Sequence, residues 1–219
     1  MASPQRWLCA AGLAAGALHA AAVTGFGLAL EGFGQMLHPV GLLGADGVPR
    51  ASAFNLLGYV LPGAIAAGLA WGLREALPDS AGLAARLGWR LAFLSALALA
   101  AQGVWPLDPS DLDARASRLH AVAWTLWWVA FVPGAALLAW EAWRGAPRRI
   151  ATGLVHAAAA GLVLAFAALL AAQLGAAISQ RLAYAVWFAW LAWAGWTAVG
   201  GGVSRGAASG PGSSPPARR

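Results

Sequence analysis

Six long apolar runs, separated by short polar segments, dominate the sequence. They cover residues 7–30, 53–73, 87–105, 119–140, 150–174 and 182–203. Each run has about the 20 residues that an α-helix needs to cross roughly 30 Å of hydrocarbon. Within the runs, polar and apolar residues do not alternate as they would in the strands of a membrane β-barrel. The pattern predicts an all-α polytopic membrane protein, a bundle of six transmembrane helices joined by short loops.

The composition agrees with a lipid environment. Hydrophobic residues make up 60% of the 219 residues and charged residues only 10%, whereas a soluble domain has about 25% charged residues. The net charge of +6 comes from Arg residues that lie between the apolar runs rather than in one patch. We therefore expect membrane lipids as partners, and no nucleic acid. Cys9 is the only cysteine, which excludes an internal disulfide and a cysteine metal cluster.

The Arg residues also predict the orientation. If the N-terminus is inside, ten of the 14 Arg residues fall on the inner side and four on the outer side. Positive residues favour the cytoplasmic side, so we expect both termini in the cytoplasm and a multi-pass protein of the bacterial inner membrane. The first run is long enough to remain as a helix rather than to be cleaved as a signal peptide. Residues 1–203 form the predicted transmembrane domain, and residues 204–219 a disordered tail.

Polar residues are sparse within the runs, and no Asp, Glu or Arg lies clearly in the middle of one. A proton-coupled transporter usually holds a carboxylate there, so this class is disfavoured. His19 and His156 could ligate haem. They do not form facing pairs of matched depth with His38 and His120, so we expect packing histidines and no cofactor.

Small residues and prolines interrupt three of the predicted helices. Gly12 and Gly16 form a pair that lets two backbones approach closely, and we interpret it as internal helix packing rather than dimerisation. The Pro-Gly pairs 62–63 and 133–134 should bend their helices. Bent helices can form hinges in transporters, but a purely structural role is the preferred interpretation.

The chain has 13 Trp residues. Many lie near helix ends, where indoles anchor at the membrane interface. Trp124 and Trp187 belong to two helices with several indoles each, and these rings could line a groove for a lipid or isoprenoid chain. Packing and contact with lipid is the alternative explanation.

The predicted outer face carries most of the candidate chemistry. The carboxylates and the imidazole there could bind a divalent cation, or Asp108 and His120 could act as acid and base on a lipid headgroup. Arg118 could bind a phosphate. No spacing typical of a metal site is present. Asp108 also suits a turn after Pro106, and Ser117 can cap the helix that follows. The candidate ligand-binding residues are His38, Asn55, Arg181, Trp124 and Trp187.

Three stretches of these segments resemble a bacterial membrane family known as domain-of-unknown-function family 998. The first runs from His38-Pro-Val-Gly-Leu-Leu-Gly-Ala45 through Gly47-Val-Pro-Arg-Ala-Ser-Ala-Phe-Asn55. The second is Trp105-Pro-Leu-Asp108 with Arg118-Leu-His120, and the third is Gln180-Arg181-Leu182 before an aromatic helix. The family often has Ser-Glu-Leu-Gly near position 40, and this chain lacks that acidic residue. The resemblance implies a six-helix membrane protein with important outer-face motifs, and it implies no reaction.

Two functional hypotheses follow from the sequence. The first is a non-enzymatic membrane protein that binds lipid or a partner protein through its aromatic helices and outer loops. The second is an outer-face enzyme or transporter that acts on a lipid headgroup or a small amphiphile. The second requires Asp108, Arg118 and His120 to converge with His38 or Arg181 beside a pocket.

Overall fold

The computed structural model describes residues 6–145 and 147–207, and this part of the chain is helical without β-strands. The helices are α1 (Arg6–Ala29), α2 (Ala51–Glu75), α3 (Leu83–Val104), α4 (Arg115–Arg144), α5 (Ile150–Leu169), α6 (Ala171–Leu174) and α7 (Ala176–Ala207). A short 3-10 helix, Val40–Gly44, lies in the connection between α1 and α2, and another, Pro147–Arg149, precedes α5.

Five of these helices, α1 to α5, are long and apolar enough to cross a membrane. The described helices are therefore those of a multi-pass membrane protein. The run predicted as one helix over 150–174 is divided, because α5 ends in a π-helical turn at Leu169 and Gly175 has a φ of 82° before α7 begins. Of the predicted tail 204–219, residues 204–207 belong to α7, and residues 208–219 lie outside the described residues.

The helices pack mainly against their neighbours along the chain, and α1 also packs against α7. Two ends of the bundle can be distinguished by the connections that they carry. The His38 end holds residues 30–50, 105–114 and 170–175, and the backbone N–H of Asp46 donates to the carbonyl of Leu107 there (2.8 Å). The Glu141 end holds residues 76–82 and 145–149, where the N–H of Gly82 donates to Glu141 Oε1 (3.1 Å).

Glycines mark the closest contacts between helices. A Cβ added to Gly12 would lie 2.7 Å from the carbonyl oxygen of Leu191, so the Gly12 pair brings α1 onto α7. In the Pro-Gly pairs, a Cβ on Gly63 would lie 2.6 Å from the backbone nitrogen of Ala100, and a Cβ on Gly134 would lie 3.0 Å from the carbonyl oxygen of Gly88. These glycines act in internal helix packing, as small residues do in membrane bundles.

Candidate functional site

A cluster of buried polar side chains lies in the half of the bundle nearer the His38 end. We define the buried polar cluster as Tyr59, Gln102, His120 and Tyr184, which come from α2, α3, α4 and α7. The hydroxyl of Tyr184 donates to Gln102 Oε1 (2.7 Å). The ring of Tyr59 lies 6.1 Å from that of His120 and 6.4 Å from that of Tyr184. Four helices thus meet at one polar centre.

His120 closes the end of α3. Its Nδ1 donates to the carbonyl oxygens of Gln102 and Trp105, at 3.0 Å each. These carbonyls belong to the last turn of α3, where no further helical N–H is available to bond them. Because carbonyl oxygens only accept, the proton of the neutral imidazole resides on Nδ1, and Nε2 keeps a free lone pair. The histidine lies in the second turn of α4, directly beside this helix end.

His19 of α1 has a comparable arrangement. Its Nδ1 donates to the carbonyl of Gly58 (2.6 Å). That carbonyl lacks its usual donor four residues later, because residue 62 is proline and has no N–H. Pro62 therefore creates an acceptor inside α2, and the histidine supplies a donor. The ring of His19 also contacts that of Tyr184, with centroids 4.9 Å apart.

Several buried polar atoms in and around the cluster have no hydrogen-bond partner in the described part of the chain. They are Tyr59 Oη, Gln102 Nε2, Trp127 Nε1, Ser179 Oγ and Trp187 Nε1. In a lipid environment each such group raises the free energy of the folded protein unless something else bonds it. Their concentration here indicates a place for bound water or for polar groups of a ligand.

Two consecutive side chains of α7, Gln180 and Arg181, hold the connection between α1 and α2 against that helix. Gln180 Oε1 accepts from the N–H of Val40 (2.7 Å). Arg181 donates to Gln35 Oε1 from Nε (3.2 Å) and Nη2 (2.8 Å), and to the carbonyl of His38 from Nη1 (2.8 Å). Gln35 in turn donates from Nε2 to the carbonyl of Val23 (3.0 Å). The guanidinium of Arg181 is thus held by neutral oxygens, and no carboxylate pairs with it among the described residues.

Two cavities adjoin this region. The α1–α7 groove has a volume of about 690 Å³ and runs between α1 and α7 from Arg181 and Gln35 to Gly12 and Ala192. Seven of its 15 lining residues are Gly or Ala, and the polar residues His19, Thr24 and Tyr184 also line it.

The second cavity, which we name the His120 cavity, has a volume of about 280 Å³. It lies between the connection at Pro39 and Gly41, the start of α4, the end of α5 and the start of α7. His120, Ser179 and Gln180 supply its polar lining, and Trp124 and Phe166 form part of its apolar lining. The buried polar cluster therefore contacts both cavities, through Tyr184 on one side and His120 on the other.

The proposed catalytic residues differ in their burial and in their hydrogen-bond partners. The carboxylate of Asp108 accepts from the N–H (2.9 Å) and the hydroxyl (2.6 Å) of Ser110, which keep its pKa below the ordinary value of 3.8. This is the geometry of a turn. Arg118 is exposed, and His120 is buried. No hydrogen bond or ion pair joins Asp108, Arg118 and His120 in the part of the chain that the structure describes.

The predicted ligand-binding residues divide between structural and cavity positions. Asn55 is buried and donates from Nδ2 to the carbonyl of Gly44 (2.9 Å), which fixes the connection onto α2. His38 accepts from the N–H of Gly34 at Nδ1 (2.9 Å). Trp187 is fully buried and packs on Trp127. Arg181 lines the α1–α7 groove, and Trp124 lines the His120 cavity.

The second histidine considered for haem lies in the other half of the bundle. Nδ1 of His156 accepts from Nε1 of Trp190 (3.0 Å), and both rings are buried. A hydrogen-bonded packing role describes this residue. In the described part of the chain, no group of three His, Cys, Asp or Glu side chains is arranged to hold a metal ion.

With this geometry established, a family relationship can be assigned. The family model described as a protein of unknown function (DUF998) matches residues 13–197. The chain belongs to this family. No curated protein and no solved structure was found to match it. The three stretches that resemble DUF998 proteins all lie at the His38 end, where Val40 contacts Gln180 and Asp46 contacts Leu107.

Four residues that are central in the structure of this DUF998 protein were not among the site residues predicted from its sequence. Tyr59 and Tyr184 are the two tyrosines of the chain, and both are fully buried in the cluster. Their rarity beside 13 Trp residues is the signal that could have identified them. Gln35 carries no such signal, and Gln180 was named only within the third resembling stretch, because their roles depend on contacts across 146 and 140 residues of sequence.

Proposed function

We propose that this protein spans the inner membrane six times, with both termini in the cytoplasm, and binds an anionic lipid from the surrounding leaflet without chemical conversion. The lipid chain occupies the α1–α7 groove, and its charged headgroup lies at Arg181. The observation that carries the proposal is a guanidinium without a carboxylate partner among the described residues, at the polar end of an apolar groove.

The length of the groove supports one lipid chain. From Arg181 to Ala192 the axis of α7 rises about 17 Å, at about 1.5 Å per residue. Half of the hydrocarbon core of a bilayer is about 15 Å thick. The groove therefore extends from the headgroup region to about the middle of the membrane, which is the span of an acyl chain in one leaflet.

The chemistry of the lining supports an anionic amphiphile. The small side chains of Ala17, Ala20, Ala185 and Ala189 leave an open apolar wall. Arg181 makes four hydrogen bonds, all to neutral oxygens, so its charge is not compensated by its protein partners. Phosphate or carboxylate oxygens near the remaining N–H would supply that compensation.

The alternative, an outer-face enzyme or transporter, has less geometric support. It depends on Asp108, Arg118 and His120 acting together. Asp108 is engaged in a turn, and Arg118 makes no hydrogen bond with His120 in the described part of the chain. Lipid binding requires no such convergence, so it is the function that the geometry supports best.

Native mass spectrometry tests the proposal. The protein is purified in mild detergent, and bound anionic lipid is compared between Ala17→Phe, which fills the groove, and Ala14→Phe. Ala14 is an equally exposed alanine of α1 that lines none of the described cavities. We expect bound lipid to be lost in Ala17→Phe and retained in Ala14→Phe. Equal lipid occupancy in both variants would refute binding in the groove.

The orientation has its own test. Because the chain has one cysteine, replacing Cys9 by Ser gives a cysteine-free background. We expect a membrane-impermeant maleimide to label Asp113→Cys in intact cells, and to label Ser80→Cys only after the membrane is opened. Labelling of Ser80→Cys in intact cells would reverse the proposed orientation.

A further inference from the structure

The His120 cavity is separate from the groove and differs from it in chemistry. Its lining contains no carboxylate, Arg or Lys, and its polar groups are an imidazole, a hydroxyl and an amide. The connection between α1 and α2, the start of α4, the end of α5 and the start of α7 form it, and they come together at the His38 end of the bundle. A cavity of this composition is suited to a neutral ligand with a few hydrogen-bonding groups.

Three polar groups of the cavity can bond a ligand. The Nδ1 proton of His120 is used by the end of α3, so Nε2 has a lone pair that can only accept. Ser179 is only 1% exposed, and its hydroxyl makes no hydrogen bond in the described part of the chain. Gln180 uses Oε1 for Val40, which leaves its NH₂ group as a donor. A ligand must therefore donate to the imidazole and accept from the amide or the hydroxyl.

We infer that the His120 cavity binds a neutral six-membered ring that carries hydroxyl groups. A hydroxyl both donates and accepts, which satisfies the imidazole, serine and amide groups together. The volume of 280 Å³ equals about nine water molecules at about 30 Å³ each, the size of one such ring. The indole of Trp124 supplies an aromatic wall against which either a phenolic or a sugar ring can stack.

Saturation-transfer NMR on the full-length protein in lipid nanodiscs tests this inference with three small molecules. Hydroquinone represents a phenolic ring, methyl β-glucoside a sugar ring, and 1,4-dimethoxybenzene a ring of similar shape without hydroxyl donors. We expect hydroquinone, the glucoside or both to bind, and dimethoxybenzene to bind at least tenfold more weakly. If only one of the two hydroxylated rings binds, that result identifies the ligand as phenolic or as a sugar. Failure of both rings to bind, or equal binding of dimethoxybenzene and hydroquinone, would overturn the inference.

Matched variants locate the binding. Ser179→Ala should weaken binding about tenfold, the effect of one lost hydrogen bond to a buried group. Ser95→Ala is the control, because Ser95 is also fully buried without a partner but lines none of the described cavities. Equal affinity in Ser179→Ala and the unmodified protein would refute the site.

Two further variants isolate Nε2 of His120. His120→Asn keeps a donor near the Nδ1 position and removes the acceptor Nε2. In Gly41→Ala the histidine is retained, but the added Cβ would lie 3.1 Å from Nε2 and cover it. We expect both variants to lose binding of the ring while bound anionic lipid, measured by native mass spectrometry, is unchanged. Retained ring binding in both would exclude a role for Nε2. Ring binding is measured separately from lipid binding in the α1–α7 groove, so either proposal can fail alone.

Discussion

The two ends of the bundle are held together by different means. At the His38 end, side chains bond residues that are far apart in sequence, such as Arg181 with Gln35 and Gln180 with Val40. At the Glu141 end, the hydrogen bond from Gly82 to Glu141 is the comparable contact between helices. There, packing relies more on close backbone contact, as where α3 crosses α4 at Gly88.

The difference indicates where binding takes place. Most of the buried polar atoms without partners lie in the half nearer the His38 end, beside the α1–α7 groove and the His120 cavity. Such atoms destabilise a fold unless they are bonded in the functional state. The Glu141 end also has a cavity, of about 590 Å³, but its Arg144 and Arg149 are exposed and its Glu141 is already hydrogen-bonded. We therefore regard the Glu141 half as the rigid support of the binding half.

The largest effect should come from Gly134→Leu, which disrupts the packing of α3 against α4. A Cβ at Gly134 would lie 2.9 Å from Cβ of Leu91 and 3.0 Å from the carbonyl of Gly88, so α3 and α4 must separate. We expect a loss of about 3 kcal/mol or more in the free energy of unfolding. Size-exclusion profiles of the solubilised protein, with thermal unfolding, measure it.

Gly161→Leu is the control for that prediction. Gly161 lies in α5 with nothing within 4 Å of an added Cβ. We expect a normal profile and an almost unchanged melting temperature. Equal loss in both variants would show that leucine itself, rather than the α3–α4 crossing, is responsible.

The next largest effect is expected at His120, in the half of the bundle nearer the His38 end. His120→Ala removes the donor that closes α3 and leaves the carbonyls of Gln102 and Trp105 unbonded. We expect the free energy of unfolding to fall by about 2 kcal/mol. His120→Asn, which restores a donor, should recover part of that loss. A melting temperature of His120→Ala equal to that of the unmodified protein would contradict the structural role of the imidazole.

The fold was accessible from sequence to a greater extent than the site. Apolar runs of about 20 residues predict membrane helices because the thickness of the bilayer fixes their length. The pattern could not predict the interruption at Leu170 within the run 150–174, which depends on local backbone geometry. It also grouped Asp108, Arg118 and His120 by their proximity in sequence. Arg118 and His120 are two residues apart in a helix, and such residues point to different faces.

The contacts of the site depend on the tertiary arrangement. His120 was identified from its residue type, but its partners are the end of another helix and the cavity beside Gly41. Arg181 was identified as a candidate, whereas its partner Gln35 was not. No local pattern relates residues so distant in the chain, so the pairing became visible only when α1 and α7 were placed side by side.

A smaller effect should distinguish the two tyrosines of the buried polar cluster. Tyr184→Phe removes the donor to Gln102 Oε1 and leaves that amide without a described side-chain partner. We expect a loss of about 1 kcal/mol in the free energy of unfolding. Tyr59→Phe removes a hydroxyl that has no partner in the described structure, so it should be neutral or slightly stabilising. Thermal unfolding of both variants measures the difference. A larger loss for Tyr59→Phe would indicate that its hydroxyl bonds water or ligand.

The smallest effect concerns pH and the exposed connection between α3 and α4. The pKa of Asp108 is lowered because Ser110 donates to its carboxylate, so the charged form is favoured in the folded protein. This stabilisation is fully present above the ordinary pKa of 3.8 and is lost as the pH falls below 3.8 through the lower folded pKa. Asp108→Asn should therefore reduce the melting temperature slightly at pH 6 and have no further effect once the acid has been protonated. NMR titration of the carboxyl carbon gives the pKa directly. An unshifted or raised pKa of Asp108 would mean that its turn does not persist in solution. His120 and the cavity beside it would be unaffected, because no bond joins them to this carboxylate in the described structure.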